Sequence, residues 1–233
     1  MTDGLDVRLK GIELNRALAT AMNEIKDSIG PNAWYQHLVY GLARETQTNW
    51  VELVEADNEQ QITRLAWAAR NLLELYYWTR YVLRSPEDAR RVFEDLLCDF
   101  QDVLKWLNKL PGLEVLTQEK AEELHKMREQ AEHVEDETKF LTGAKIARLF
   151  NEEFEFGISN KMLSKFVHPT ILMTQVRAHA DTPEVLTIRA LILEAGVSYA
   201  LWLFPALTAE LNRINPGTVN VPATSSPPPL KLR

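Results

Sequence analysis

Helix breakers are sparse along most of this 233-residue chain, and this scarcity constrains the fold more than any other feature. The sequence holds nine glycines and eleven prolines, and four of those prolines lie in the last twelve residues. The long segments between the breakers carry apolar residues at helical spacing. The sequence therefore predicts an all-α fold, a bundle of about six to eight helices.

The composition predicts one domain and a tail. With 45% hydrophobic residues, a chain of this length can bury a substantial core without dividing in two. We assign residues 1–214 to one helical domain. From residue 215 onward the chain is rich in Pro, Ser, Thr and Val, and it contains the run Pro227–Pro229. Such a composition predicts a disordered tail over residues 215–233.

The net charge and the cysteine content restrict the cellular compartment and the kinds of partner that we expect. The net charge of −7 argues against a large basic surface that grips phosphate backbones, although it leaves room for a local basic groove. Cys98 is the only cysteine, so neither an intrachain disulfide nor a cysteine-rich zinc site can form. The first ten residues lack the apolar core of a secretory signal. We expect a cytoplasmic protein.

One segment, Ala190–Ala209, approaches the length of a membrane span. It contains Glu194 and Pro205, and Arg189 and Glu210 flank it. We interpret it as a buried core helix and expect no membrane partner.

Start and stop signals predict the helix boundaries. Thr117–Thr138 is rich in charged residues and predicts an exposed or projecting helix. The other predicted helices are 5–28, 48–84 with a break near 56–60, one that starts at Ser85-Pro86 and ends at Pro111-Gly112, 143–167 and 183–214. The core face predicted for the Ser85-Pro86 helix is Val92, Phe93, Leu96, Leu97, Phe100, Val103, Leu104 and Leu107.

Two of these helices carry polar residues inside an otherwise apolar stripe. Buried charged groups are unfavourable unless they are paired, so we expect the two stripes to face each other. Gly157 would leave room for a close approach of the helices. The stripes are Trp67, Arg70, Glu74, Tyr77 and Tyr81 on the first helix and Glu153, Gly157, Asn160, Ser164 and His168 on the second.

Four residues of these stripes are the candidate catalytic residues: Arg70, Glu74, Ser164 and His168. His168 would act as a general acid or base, Arg70 would stabilise developing negative charge, and Glu74 would orient either of them. The alternative is packing, in which Glu74 neutralises Arg70, Ser164 bonds to its own helix and His168 caps a helix end. Both interpretations stay open.

The sequence shows no residue pattern for metal binding or for phosphate binding. The remaining histidines show no metal-ligand spacing, and Glu122 to His125 forms a single ExxH pair without the second copy that a carboxylate-bridged bundle needs. There is no glycine-rich phosphate loop. We predict no metal and no cofactor.

Two stretches around the candidate residues resemble an uncharacterised bacterial helical family, domain of unknown function 5677. They are Ala69–Leu75 and Leu163–Thr170. The family pattern is an Arg-x-x-x-Glu helix followed much later by Tyr-x-x-x-Ser-x-x-x-His-Pro, and Asn160 stands here in place of the tyrosine. The resemblance spans roughly residues 62–170 and implies a bacterial helical protein with Arg70, Glu74, Ser164 and His168 as its polar centre.

A more distant resemblance is to the HEPN superfamily of helical ribonucleases and toxins. Arg70-Asn71 begins the pattern of that superfamily, but no histidine follows it on the same helix. The resemblance implies ribonuclease chemistry only if Arg70 and His168 act together from two helices, on the phosphate and the 2'-hydroxyl.

Two function classes follow. The first is a helical interaction or regulatory module, a homo-oligomer or the binder of a protein partner. The second is a metal-independent ribonuclease or toxin of a bacterial defence system, with RNA as its substrate. An open cleft that holds His168 and Arg70 would favour the enzyme, whereas a sealed polar cluster would favour the module.

Overall fold

The computed structural model describes residues 2–30, 33–107, 109, 119–122, 141–168 and 170–215, which contain no β-strand. The all-α prediction is confirmed. A short helical segment at 119–122 accompanies eight helices with assigned bounds. These are α1 (Thr2–Lys26), α2 (Trp34–Asn58), α3 (Ile62–Val82), α4 (Pro86–Leu107), α5 (Gly143–Leu149), α6 (Glu153–Val167), α7 (Ile171–Ala178) and α8 (Pro183–Ile214).

Helix α3 lies at the centre of the bundle. It packs against α2, α6 and α8, and α8 also packs against α1 and α2. Small and large apolar residues alternate along α3, and Leu65, Ala68, Ala69 and Leu72 are fully buried. The alanines let neighbouring helices approach while the leucines fill the space between them.

Helix α8 begins where the sequence predicted, at Pro183. It is one helix of the described chain that is long and apolar enough, by length and composition alone, to cross a membrane. Half of its most apolar window is buried inside the bundle, where α1, α2 and α3 cover it.

Two left-handed residues end helices. Gln60 has φ 59° after α2, and Asn151 has φ 58° after α5. At both turns the next amide donates to a carbonyl five residues back, Gln61 to Ala56 at 2.8 Å and Glu152 to Ala147 at 2.9 Å. These bonds satisfy the last carbonyls of each helix in a Schellman motif.

Several predicted boundaries need correction. The break near residues 56–60 is confirmed, but α2 begins at Trp34, before the predicted start at residue 48. The single helix predicted over 143–167 is wrong, because the turn at Asn151 divides it into α5 and α6. Helix α7 was not predicted; the Thr170 hydroxyl caps it by accepting a hydrogen bond from the Met173 amide at 3.3 Å.

The predicted core face of α4 is only half correct. Val92, Phe93 and Leu97 are buried, whereas Leu96, Phe100 and Val103 are exposed. Of the predicted helix at 117–138, only residues 119–122 are described. The predicted tail, apart from Asn215, lies outside the described residues.

Candidate functional site: the polar seam between α3 and α6

Helices α3 and α6 run antiparallel, and one hydrogen bond joins the predicted stripes. The Arg70 Nε donates to Asn160 Oδ1 at 3.0 Å. Further along α3, the ring of Tyr77 meets that of Phe156 edge-on, with centroids 5.2 Å apart. Residue numbers therefore decrease along α6 in the direction in which they increase along α3. Asn160 is the residue that holds Arg70.

The face that α6 turns towards α3 differs from the predicted stripe. Phe156 and Leu163 are buried, whereas Glu153 and Gly157 are exposed. A Cβ built on Gly157 would meet no atom within 4 Å, so this glycine allows no close helix contact. Because the helix breaks at Asn151, the side chains of α6 point in different directions from those of a continuous 143–167 helix.

Glu74 is half-buried on α3 beside the start of α5. A Cβ on Gly143 would collide with its Oε2 atom, and would also lie 2.9 Å from Cζ of Phe156. Within the described part of the chain, no ion pair or hydrogen bond joins Glu74 to Arg70. Burial raises the pKa of the Glu74 carboxyl, and the positive charge of Arg70 opposes this shift.

The raised pKa of Glu74 predicts a pH-dependent effect of Glu74→Gln. A carboxyl whose pKa is higher in the folded state favours folding when protonated, and this contribution is lost as pH rises from the unfolded to the folded pKa. We expect Glu74→Gln to be more stable than wild type at neutral pH, with the difference shrinking as pH falls through that window. Urea unfolding at a series of pH values measures it; a variant less stable than wild type at neutral pH would show that the carboxylate is stabilising.

Ser164 and His168 lie further along α6, towards the Ile62 end of α3. Ser164 is half-buried, and its hydroxyl makes no hydrogen bond to a described residue. His168 is exposed at the C-cap of α6, where its backbone amide donates to the Ser164 carbonyl at 3.3 Å. Eight residues of helix separate His168 from Asn160, which is about 12 Å along the axis. The structure thus brings Arg70 to α6 at Asn160, two turns away from His168.

The most fully bonded polar group of the seam is Arg80, which the sequence analysis missed. Its Nη1 atom donates to Glu152 at 2.5 Å and to the Tyr76 hydroxyl at 2.9 Å. The guanidinium carbon lies 4.1 Å from the ring centroid of Phe150. The side chains of Arg80 and Glu152 are only 14% and 24% exposed.

Aromatic side chains surround the Arg80–Glu152 ion pair and connect it to α8. The ring of Tyr76 lies 4.9 Å from that of Trp202 and 5.4 Å from that of Tyr199. The Tyr199 hydroxyl donates to Ser159 at 3.3 Å. Burial and the nearby negative charge of Glu152 raise the pKa of Tyr77. The tyrosines of this layer are neutral, and the two charged residues, Arg80 and Glu152, pair with each other.

The sequence contains only part of the information needed to predict the cluster around Arg80. Tyr76 and Arg80 are four residues apart on one helix and therefore share a face. Glu152 lies in the turn before α6, so a continuous 143–167 helix gives no reason to pair it with α3. The aromatic partners come from α8, far away in the chain.

The four predicted catalytic residues do not converge on a cavity. One open depression, of about 500 Å³, is lined by Arg148, Asn151, Glu153 and Phe154. A second, of about 280 Å³, lies at the α2–α3 turn and includes Ile62, Val176 and Arg189 in its lining. Among the described residues, no group of three or more His, Cys, Asp or Glu side chains is placed to hold a metal ion. Comparison with known proteins found no matching family model, curated protein or solved structure.

Proposed function

We propose that this protein is a helical interaction module that binds another protein chain through the exposed apolar face of α4. The observation that carries the proposal is the division of one apolar stripe into a buried and an exposed half. Ala89, Phe93 and Leu97 pack into the bundle, whereas Phe100 and Val103 continue the stripe in solvent.

The exposed half of α4 is unusually apolar for a solvated surface. The exposed fractions are 40% for Leu96, 50% for Phe100, 53% for Val103 and 70% for Trp106. Contiguous apolar surfaces of this kind, with two aromatic side chains, are typical of protein interfaces. The alternating spacing of four and three residues from Leu96 to Val103 suits packing against another helix.

The polar seam supports a structural role for Arg70 and for the Arg80–Glu152 pair. Arg80 and Glu152 form an ion pair that is largely shielded from water, and Arg70 is held by Asn160. A buried pair of this kind fixes how α6 lies on α3. In this proposal the seam keeps the bundle rigid, α4 makes the contact with the partner, and the protein works in the cytoplasm.

Site-specific photo-crosslinking in cells tests the proposal. A benzophenone side chain replaces Phe100 in one variant and Val51, which is 47% exposed on α2, in a control. We expect a discrete adduct of higher mass from position 100 and none from position 51. Crosslinking of position 100 only to its own chain, such as residues 108–140, would contradict the proposal, as would no adduct at all.

The alternative function is a metal-independent ribonuclease that uses Arg70 and His168. The exposure of His168 favours it, since an acid or base must reach its substrate. The distance along α6 is the opposing argument, because both groups must act on one phosphodiester. RNA cleavage by wild-type protein that is lost in a folded His168→Ala variant would establish this alternative.

A further inference from the structure

We infer that the partner bound by α4 is a second copy of this chain, with the two α4 helices packed antiparallel about a twofold axis. This inference rests on the proposed function, because it names the occupant of the same apolar face. Spacing and charge along α4 support it separately.

The apolar spacing of α4 is that of a coiled-coil seam. Phe100 and Leu107 fall at one core position of a heptad, and Leu96 and Val103 fall at the other; Phe93, one heptad before Phe100, is buried in the bundle and lies outside this seam. When two such helices run antiparallel, each core position meets the other kind in the partner. Phe100 would pack on Val103 of the second copy, and Leu96 on its Leu107. A twofold axis repeats each of these contacts.

The charge along the edge of the seam selects the antiparallel direction. Asp99 and Trp106 occupy the same flanking position in successive heptads, and the Lys109 ammonium lies 4.0 Å from the centroid of the Trp106 ring. Antiparallel packing pairs these flanking positions across the interface, so Asp99 would face the Trp106 and Lys109 of the second copy. Parallel packing would instead place Asp99 against Leu104, leaving the carboxylate beside an apolar side chain.

Two further charged residues near the exposed half of α4 have partners within the chain. Lys105 donates to Asp102 at 2.7 Å on the solvent side of the helix. Asp95 accepts the Leu141 amide at 3.0 Å. Asp99 and Lys109, which carry opposite charges beside the exposed half of the α4 stripe, are the pair that we assign to the contact with a second copy.

Sedimentation velocity over a range of protein concentrations tests the inference on the full chain. We expect wild type to sediment with twice the mass of one chain. Phe100→Asp should weaken the dimer at least about thirtyfold, as loss of a central aromatic anchor does. Val51→Asp places the same charge on another exposed apolar residue and should leave the dimer intact. Far-UV circular dichroism of each variant establishes that it is folded.

A charge exchange tests the antiparallel direction. Asp99→Lys and Lys109→Asp should each weaken the dimer by about tenfold, since a twofold axis duplicates the contact. The double variant should recover most of the wild-type affinity. Equal weakening in single and double variants would overturn the antiparallel arrangement.

The outcomes separate this inference from the proposed function. A monomeric wild type that crosslinks through position 100 to a different protein would overturn the second copy and keep the interaction module. A monomeric wild type that crosslinks at position 100 only to its own chain would overturn both.

Discussion

Arg80→Ala is expected to lower the free energy of unfolding by about 3 kcal/mol, because it leaves the Glu152 carboxylate buried without its cation. The variant also loses the hydrogen bond to Tyr76 and the stacking on Phe150. The loss is at the lower end of the range for buried pairs because the Glu152 side chain is still 24% exposed to water. Urea unfolding at neutral pH measures the change.

Arg148→Ala is the matched control for this prediction. Arg148 also pairs with a glutamate, Glu153, but the two side chains are 68% and 53% exposed. An exposed pair contributes little to stability because water screens it, so the control should stay close to wild type. If Arg80→Ala were no more destabilised than Arg148→Ala, the cluster would not hold α6 to α3.

Replacing both partners of the buried pair separates the ion pair from the packing. Arg80→Leu combined with Glu152→Leu removes both charges and keeps apolar volume at the seam. We expect it to be more stable than Arg80→Ala, because no unpaired charge remains. A double variant as unstable as Arg80→Ala would mean that the geometry of the charged groups, and not their pairing, stabilises the seam.

Gly196→Ala is expected to destabilise the fold by about 2 kcal/mol, because α8 crosses α2 and α3 too closely for a methyl group. A Cβ at this position would lie 2.7 Å from Cδ1 of Leu53 and 3.1 Å from Cβ of Ala69. Leu53 and Ala69 are both fully buried, so neither can move aside. The clash should outweigh the gain of about 1 kcal/mol that alanine brings to a helix.

Gly157→Ala carries the same helix propensity gain without the clash. Its Cβ would meet no atom within 4 Å on the exposed face of α6. We expect this variant to be more stable than wild type by about 0.5 to 1 kcal/mol. Thermal and urea unfolding of both variants test the pair; a stabilised Gly196→Ala would show that the crossing has room to relax.

The sequence predicted the candidate site less well than the fold. Arg70 and Asn160 lie on the predicted stripes and do meet. Ser164 and His168 share those stripes, yet they lie beyond the contact with Arg70. The difference arises because helical spacing predicts which face residues share but not where along the neighbouring helix each one lies: eight residues, about 12 Å of helix, separate His168 from Asn160.

The same limitation explains the divided face of α4. Periodicity identifies Phe93 and Phe100 as members of one apolar stripe, and both are. It does not say where the bundle ends, so Phe93 is buried and Phe100 is exposed by the extent of the neighbouring helices. Whether an apolar residue is core or interface depends on what lies opposite.

The sequence by itself determined the helical class, the start of α8 at Pro183 and the start of α4 at Ser85-Pro86, because propensity, capping and apolar period act between residues close together in the chain. Only the tertiary structure decided that Arg80 pairs with Glu152, that Arg70 is held by Asn160 and that His168 stands apart in solvent. Those contacts join residues 72 to 90 positions apart. They depend on the rotation and crossing of whole helices, which the packing of the complete core selects.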